Sequence, residues 1–392
     1  MQNPCYVVGY GMIDALGNNP NDCFENMLSM KDFSSDVQEL VDEDHRIRRG
    51  YQVNRQGIHI PDDYPEKLSH HMTVAQKMTM HAVDQALKMS GLPHSHNVAV
   101  IISTVSNDIE DGPILMTRII DNKKVVPRRL VNRILDMAGS HVSSYYKFHG
   151  HTASTLSSCS SGLTAVDYGM YLADEYDYVI VGGTDAGCNS MSMKYFHQVG
   201  ALANESIPFD KNRKGFVMGE GAGILILQSA QKLAEYGSTV HAKLYPAGKT
   251  NDAVDMTSPA MDGHGEKAAM RKAIENAGNV VPDAVCGHAT STPAGDPVEY
   301  ESIFDVAGMV PIFAPKSMIG HTLAASGTLE TIYSMLAIKN KVIPGIANTR
   351  EFEDPYGILV KENTVIKRDG PIRILNNSFG FGGKNIAQII EI

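Results

Sequence analysis

The segment TLSSCSSGLTAVDYGMYLADEYDYVIVGGTDAG sets Cys159 in a turn of small residues, ahead of a predicted helix and then an apolar run suited to a buried strand. Free amides at a helix N-terminus and the helix dipole both favour the thiolate, the nucleophilic form of sulfur. Ser157, Ser158, Ser160, Ser161 and Gly162 leave room for a substrate to reach it. A cysteine is otherwise most often an inert buried thiol. That structural role suffices for Cys5, Cys23, Cys188 and Cys286, none of which combines a tight small-residue turn with a following amphipathic helix.

Two histidines stand out among 15. In VCGHATSTPAGDPVEYE, His288 directly follows a strand-like run, and active sites of α/β folds gather at strand ends. Thr290 and Thr292 follow at alternate positions and can bond an amide-bearing substrate arm. In APKSMIGHTLAASGTLETIYS, Lys316 and His321 flank a glycine turn and Glu330 lies farther along a presumed helix. A helix start favours neutral imidazole, which can polarise a carbonyl. A Lys316–Glu330 ion pair is commonplace by itself, and surface pairs contribute little. LNNSFGFGGKN then supplies a glycine turn between two strands, carrying Phe379 and Phe381. A phosphate loop fails there twice, since GxxxxGK[ST] needs Gly at Ser378 and Ser or Thr at Asn385.

Short apolar runs at 5–9, 97–105, 178–183, 222–228, 239–245, 283–288, 372–376 and 386–391 suit buried strands. Helix-compatible stretches near 70–91, 160–174, 265–278, 297–307 and 321–340 separate several of them. The pattern is α/β. YVVGYGMIDALG is loosely echoed by VHAKLYPAGKTNDA, which suggests two similar halves, 1–236 and 237–392, sharing an interface.

The totals narrow the function classes. At 392 residues, 43% hydrophobic and 20% charged, the chain can bury a large core. A net charge of -10 argues against a general nucleic-acid binder. Five cysteines without a CxxC pair give neither a disulfide framework nor a zinc site. With no run approaching the roughly 18 apolar residues of a membrane span and no basic leader, a cytoplasmic protein with reduced thiols is expected.

In this order, DMAGSHVSSYYKFHG, SSCSSG, FDKNRKGFVMGEGAG, GHATSTPAGDPVE, KSMIGH and NSFGFGGKN resemble the β-ketoacyl-acyl-carrier-protein synthases of the thiolase superfamily. The likeness is continuous from about Met137 to Asn385 and looser before that, mainly at VGYGMIDALGNN. It implies a thiolase-like fold with two α/β halves in an α-β-α-β-α core. It also implies an acyl group carried on Cys159 and decarboxylative condensation with a malonyl carrier protein. By the same resemblance, His288 and His321 stabilise the developing negative oxygen, and the amides of Cys159 and Phe381 form an oxyanion hole. Lys316 and Glu330 organise the histidine side, Thr290 and Thr292 contact the phosphopantetheine arm, and Phe381 gates access. No metal or other bound cofactor is implied, because the prosthetic arm belongs to the carrier protein.

Such carriers are acidic, so this acidic chain must dock them on a local positive spot. Lys123, Lys124, Arg128, Arg129 and Arg133 of DNKKVVPRRLVNR supply one, and Arg46, Arg48 and Arg49 of HRIRRG a second. A solvated basic face without a partner is the plain alternative for each. The sequence departs from the family at Ser158, usually Ala, at Ala289, usually Gly, and at Lys384, usually Thr. The section from Asp108 to Pro127 is also short for a housekeeping elongation synthase, which opens a specialised polyketide or polyene pathway. Thiolases and acetyl-CoA-priming synthases use Cys–His–Cys or Cys–His–Asn sets, whereas KSMIGH points to Cys–His–His. The family's habit is a dimer, either of two copies or of an active chain with a homologous chain-length factor. A non-catalytic chain-length factor usually lacks the nucleophile that Cys159 provides.

Overall fold

A computed structural model describes residues 3–37, 47–106 and 112–392. Arg46 and the first residues of the 108–127 section lie outside them. The first part of the chain contains β1 (Cys5–Asp14), α1 (Val74–Ser90), β2 (Val98–Ser103), β3 (Thr152–Ala153), α2 (Ser161–Leu172), β4 (Tyr178–Ala186) and β5 (Met218–Gln228). The second contains β6 (Ala242–Leu244), α3 (His264–Asn276), β7 (Ala284–Cys286), α4 (Gly295–Ala307), β8 (Ile312–Phe313), α5 (Ser326–Asn340), β9 (Arg373–Gly380) and β10 (Lys384–Glu391). Each apolar run singled out in the sequence falls on one of these strands.

The strands follow one path, β8-β7-β9-β10-β6-β1-β5-β4-β2-β3. Each half contributes five in the same order: its third, second, fourth, fifth and first. In both halves the second strand pairs parallel with the third and fourth. In both, the fourth pairs antiparallel with the fifth and the fifth with the first. The two first strands meet antiparallel, Cys5 opposite Leu244 and Val7 opposite Ala242. The faint echo in sequence is thus a full topological repeat.

Helices α2 and α5 lie between the two runs of strands. Leu163 and Val166 of α2 and Leu329 and Ile332 of α5 share one apolar core with Val181, Leu225, Ile374 and Ile386. Every residue from Ser326 to Ile338 is buried, as a helix enclosed on all sides requires. Strands β4 and β5 are buried on both faces for the same reason, and their near-continuous apolar sequence follows from it. Helix α1 covers the outer face of the first run, and α3 with α4 that of the second. A capping box, Thr73 with Gln76, starts α1 and left-handed Gly91 ends it. The layers are therefore α-β-α-β-α, with the N-termini of α2 and α5 brought together at the centre.

Candidate active site

The turn bearing Cys159 is fastened by its own serines. Ser158 holds a left-handed backbone, φ 55°, which costs a non-glycine residue about 1 kcal/mol or more. Ser160 Oγ donates to the Ser157 carbonyl at 2.6 Å, and Ser161 Oγ to the Ser158 carbonyl at 2.6 Å. The Ser157 amide in turn donates to Ser161 Oγ at 2.9 Å. The small residues that the sequence offered as open space are the latch of the turn. A Cβ on Gly380 would meet the Ser157 carbonyl oxygen at 2.8 Å, so glycine there lets the β9–β10 hairpin lie against the turn. Amides of Phe381 and of Cys159 itself then donate toward the sulfur.

Burial pushes the Cys159 thiol up to about 11, against Lys316 and the two amides, which pull it down. The expected thiolate is therefore not the resting form, because desolvation of the sulfur outweighs the helix terminus. All five cysteines are free. Burial raises Cys5, Cys23 and Cys286 as well, and none of the four others lines the central cavity.

His288 lies just past the end of β7, and Glu299 of α4 fixes its backbone. The His288 and Ala289 amides donate to the two Glu299 oxygens at 2.7 and 2.6 Å. This clasp holds Ala289 at φ 39°, the position where the family has glycine. His321 is pinned as an extra strand residue, its amide donating to the Val217 carbonyl at 2.8 Å. The Leu323 amide donates to His321 Nδ1 at 3.1 Å, so the proton of the neutral ring sits on Nε2. Lys316 Nζ lies 3.2 Å from His288 Nδ1, which assigns that ring the same tautomer. The two rings stand edge to face with centroids 5.5 Å apart. Burial first, then Lys316, holds both imidazoles well below their ordinary range, so both are neutral donors at neutral pH.

Lys316 also ion-pairs with Glu330, and the pair is buried, not on the surface. Burial pushes the Glu330 carboxyl up while Lys316 pulls it down. A buried pair has fixed geometry, and this one aims the ammonium at His288.

Cys159, His288, His321, Thr290, Thr292, Phe379 and Phe381 all border one cavity of about 310 Å³. Lys316 and Glu330 stand behind the histidines. The Thr290 and Thr292 hydroxyls lie 3.0 Å apart. Lys123, Lys124, Arg128 and Arg129 are exposed away from the cavity, and Arg133 is half-buried. Lys123 pairs with Asp121 at 2.9 Å, and Arg49 with Asp32 at 3.1 Å. Among the described residues no group of three or more His, Cys, Asp or Glu side chains is placed to hold a metal ion. None of the described helices is long and apolar enough to cross a membrane.

Two organising carboxylates escaped sequence reasoning. Asp185, at the end of β4, accepts from Thr104 Oγ1 at 2.7 Å and from the Ser106 and Ala324 amides at 2.9 Å each, tying the His321 segment to the sheet. The signal available was an acid closing the apolar run VIVGGTD. Glu299 lay inside the quoted GDPVE, but only the fold brings it under His288.

Residues 2–232 match the family model described as "Beta-ketoacyl synthase, N-terminal domain", and residues 241–350 match "Beta-ketoacyl synthase, C-terminal domain". The chain is 30% identical to 3-oxoacyl-[acyl-carrier-protein] synthase 2 of Staphylococcus aureus strain COL, covering 98% of this chain and 97% of the relative. It is 33% identical to the mitochondrial 3-oxoacyl-[acyl-carrier-protein] synthase of Arabidopsis thaliana over 67% of this chain and 60% of that one. A solved structure titled "The ishigamide ketosynthase/chain length factor" superposes with a TM-score of 0.88 at 25% identity, covering 100% of this chain and 99% of that one. A β-ketoacyl synthase from Burkholderia phymatum STM815 has the same fold, with a TM-score of 0.89 at 23% identity over 100% and 99% of the two chains. With both of its parts matched and this arrangement at its centre, the chain belongs to the β-ketoacyl synthase family.

Proposed function

We propose that Cys159 is the acyl carrier of a decarboxylative condensation between an acyl and a malonyl carrier protein, with His288 and His321 serving the malonyl partner. The observation that carries this reading is the convergence of one thiol and two Nε2–H donors on a single cavity. In the first step Cys159 sulfur attacks the acyl-thioester carbon. The tetrahedral oxyanion sits on the amides of Cys159 and Phe381, and the thiol proton leaves with the departing carrier sulfur. Preorganised donors of this kind contribute about 3 kcal/mol each to the transition state.

In the second step the malonyl thioester loses carbon dioxide, and the C–C bonding pair becomes an enolate. The two imidazole N–H groups receive the negative oxygen. The enolate carbon then attacks the Cys159 thioester, the same two amides hold the second oxyanion, and Cys159 thiolate is expelled and takes up one proton. Neutral rings suit this work, because each donates without first losing a proton. Lys316 and Glu330 position His288, Thr290 and Thr292 seat the pantetheine arm, and Phe381 gates the route.

The carrier protein docks on Lys123, Lys124, Arg128, Arg129 and Arg133, whose mostly exposed charge complements an acidic partner. The division into 1–236 and 237–392 belongs to the same reading. So does a dimer: β3 is an edge strand, and Ile120, Val131, Ile134 and Leu156 are apolar residues left exposed, as residues covered by a second chain would be. Five free thiols fit a reducing cytoplasm. Similarity to a ketosynthase/chain-length-factor structure favours one second reading, in which the covering chain is a homologue. Release of carbon dioxide and formation of a 3-oxoacyl carrier protein by this chain alone supports the homodimeric enzyme. Activity only after a homologous chain is added supports the heterodimer. Absence of product in both settings removes the proposal.

A further inference from the structure

The run FDKNRKG holds three basic residues, and the fold treats them differently. Lys211 pairs with Glu351 at 3.8 Å, and Arg213 is ion-paired with Glu353. Lys214 makes no ion pair with a described residue, is exposed, and is the one Lys or Arg among the described residues lining the catalytic cavity. Three carboxyls share that lining, those of Asp252, Glu266 and Glu299. An anionic substrate entering such a cavity meets one cation in its lining, Lys214.

The position of Lys214 is set from both sides. Arg213 Nε donates to the Thr292 carbonyl at 3.2 Å, and the Gly215 amide donates to the Ser291 carbonyl at 3.0 Å. The lysine backbone is therefore laced along the Thr290–Thr292 loop, at the open end of the cavity, whereas His288 and His321 are only 6% and 2% exposed. Thr292 Oγ1 accepts from the Gly295 amide at 3.1 Å, so its own proton is available to Thr290 or to a ligand.

A phosphopantetheine arm carries its thioester at one end and a phosphodiester at the other. With the sulfur at Cys159 and the amide portion along the threonines, the anionic end emerges beside Lys214. We infer that Lys214 is the anchor for the phosphodiester of the arm, a specificity residue that selects phosphorylated over unphosphorylated pantetheine donors. This inference rests on the reading that Thr290 and Thr292 seat the arm.

The test compares acyl transfer from S-acyl phosphopantetheine and S-acyl pantetheine bearing the same acyl chain. The wild type is expected to prefer the phosphorylated donor by about tenfold in kcat/KM, the scale of one charge-assisted hydrogen bond. The preference should weaken with added salt. Lys214→Gln collapses the ratio toward one, and Lys214→Arg keeps most of it. A ratio that survives in Lys214→Gln overturns the anchor, as does a wild type without preference. A Lys214 effect confined to carrier-bound donors assigns the lysine to the carrier's protein surface and also overturns it. Thr290→Val and Thr292→Val separate the underlying reading, since they should impair both small donors alike. If both donors are unaffected by them, the arm lies elsewhere; if both are impaired while the Lys214→Gln ratio persists, only the anchor fails.

Discussion

At the scale of the residue, the chemistry depends on protonation states that the fold sets against their ordinary values. Cys159 rests as a thiol because enclosure raises it to about 11. Alkylation of this cysteine by iodoacetamide should therefore keep accelerating above about pH 10, where an ordinary thiol of pKa about 8.5 is already almost fully thiolate. A rate profile with its midpoint near that ordinary value would show the helix terminus dominating after all. His288 and His321 are displaced the other way, and low folded values keep them uncharged as pH falls through the ordinary value of about 6.5. Their Cε1–H resonances are expected to stay fixed between about pH 6 and 8. The sequence picked out these side chains through their motifs. It did not disclose their charge, because that depends on Lys316 and on burial contributed by residues far away in the chain.

At the scale of the element, close backbone contacts hold the Cys159 turn and the His321 segment in register. Helices α2 and α5 start side by side, and a Cβ on Gly162 would lie 2.3 Å from the Ala324 carbonyl oxygen. Ala324 is also the residue whose amide Asp185 accepts, so the clash falls on the segment carrying His321. Gly162→Ala is expected to destabilise the protein by about 1–3 kcal/mol, read from the urea midpoint, with a fall in condensation rate from the displaced turn. The strands and the long helices were legible because apolar runs and helix formers are local signals. The role of the serines was not: SSCSS says only small and polar, and the latch exists only once Ser158 turns left-handed. The two-residue β3 was equally silent, since its pairing of Thr152 with Val100 depends on a strand about fifty residues earlier.

At the scale of the whole molecule, two copies of one five-strand motif meet at β1 and β6 and enclose α2, which follows the Cys159 turn, and α5, which follows the His321 segment. The repeat was faint in sequence because topology persists where side chains diverge, leaving little beyond a strand followed by glycine. The surface sets association. Exposed Arg128 and Arg129 stand away from the cavity, so Arg128→Glu with Arg129→Glu is expected to raise KM for carrier-bound substrate several-fold, with kcat little changed and a weaker salt dependence. Unchanged kinetics would return that patch to plain solvation. The sequence made the charge visible, but its separation from the cavity needed the fold.

The convergence of Cys159, His288 and His321 on one cavity is tested most directly by intact mass after incubation with an acyl carrier protein. The wild type should gain one hydroxylamine-labile acyl group, and Cys159→Ala should gain none. An adduct that persists in Cys159→Ala, or a wild type that is never acylated by any carrier, would contradict the account.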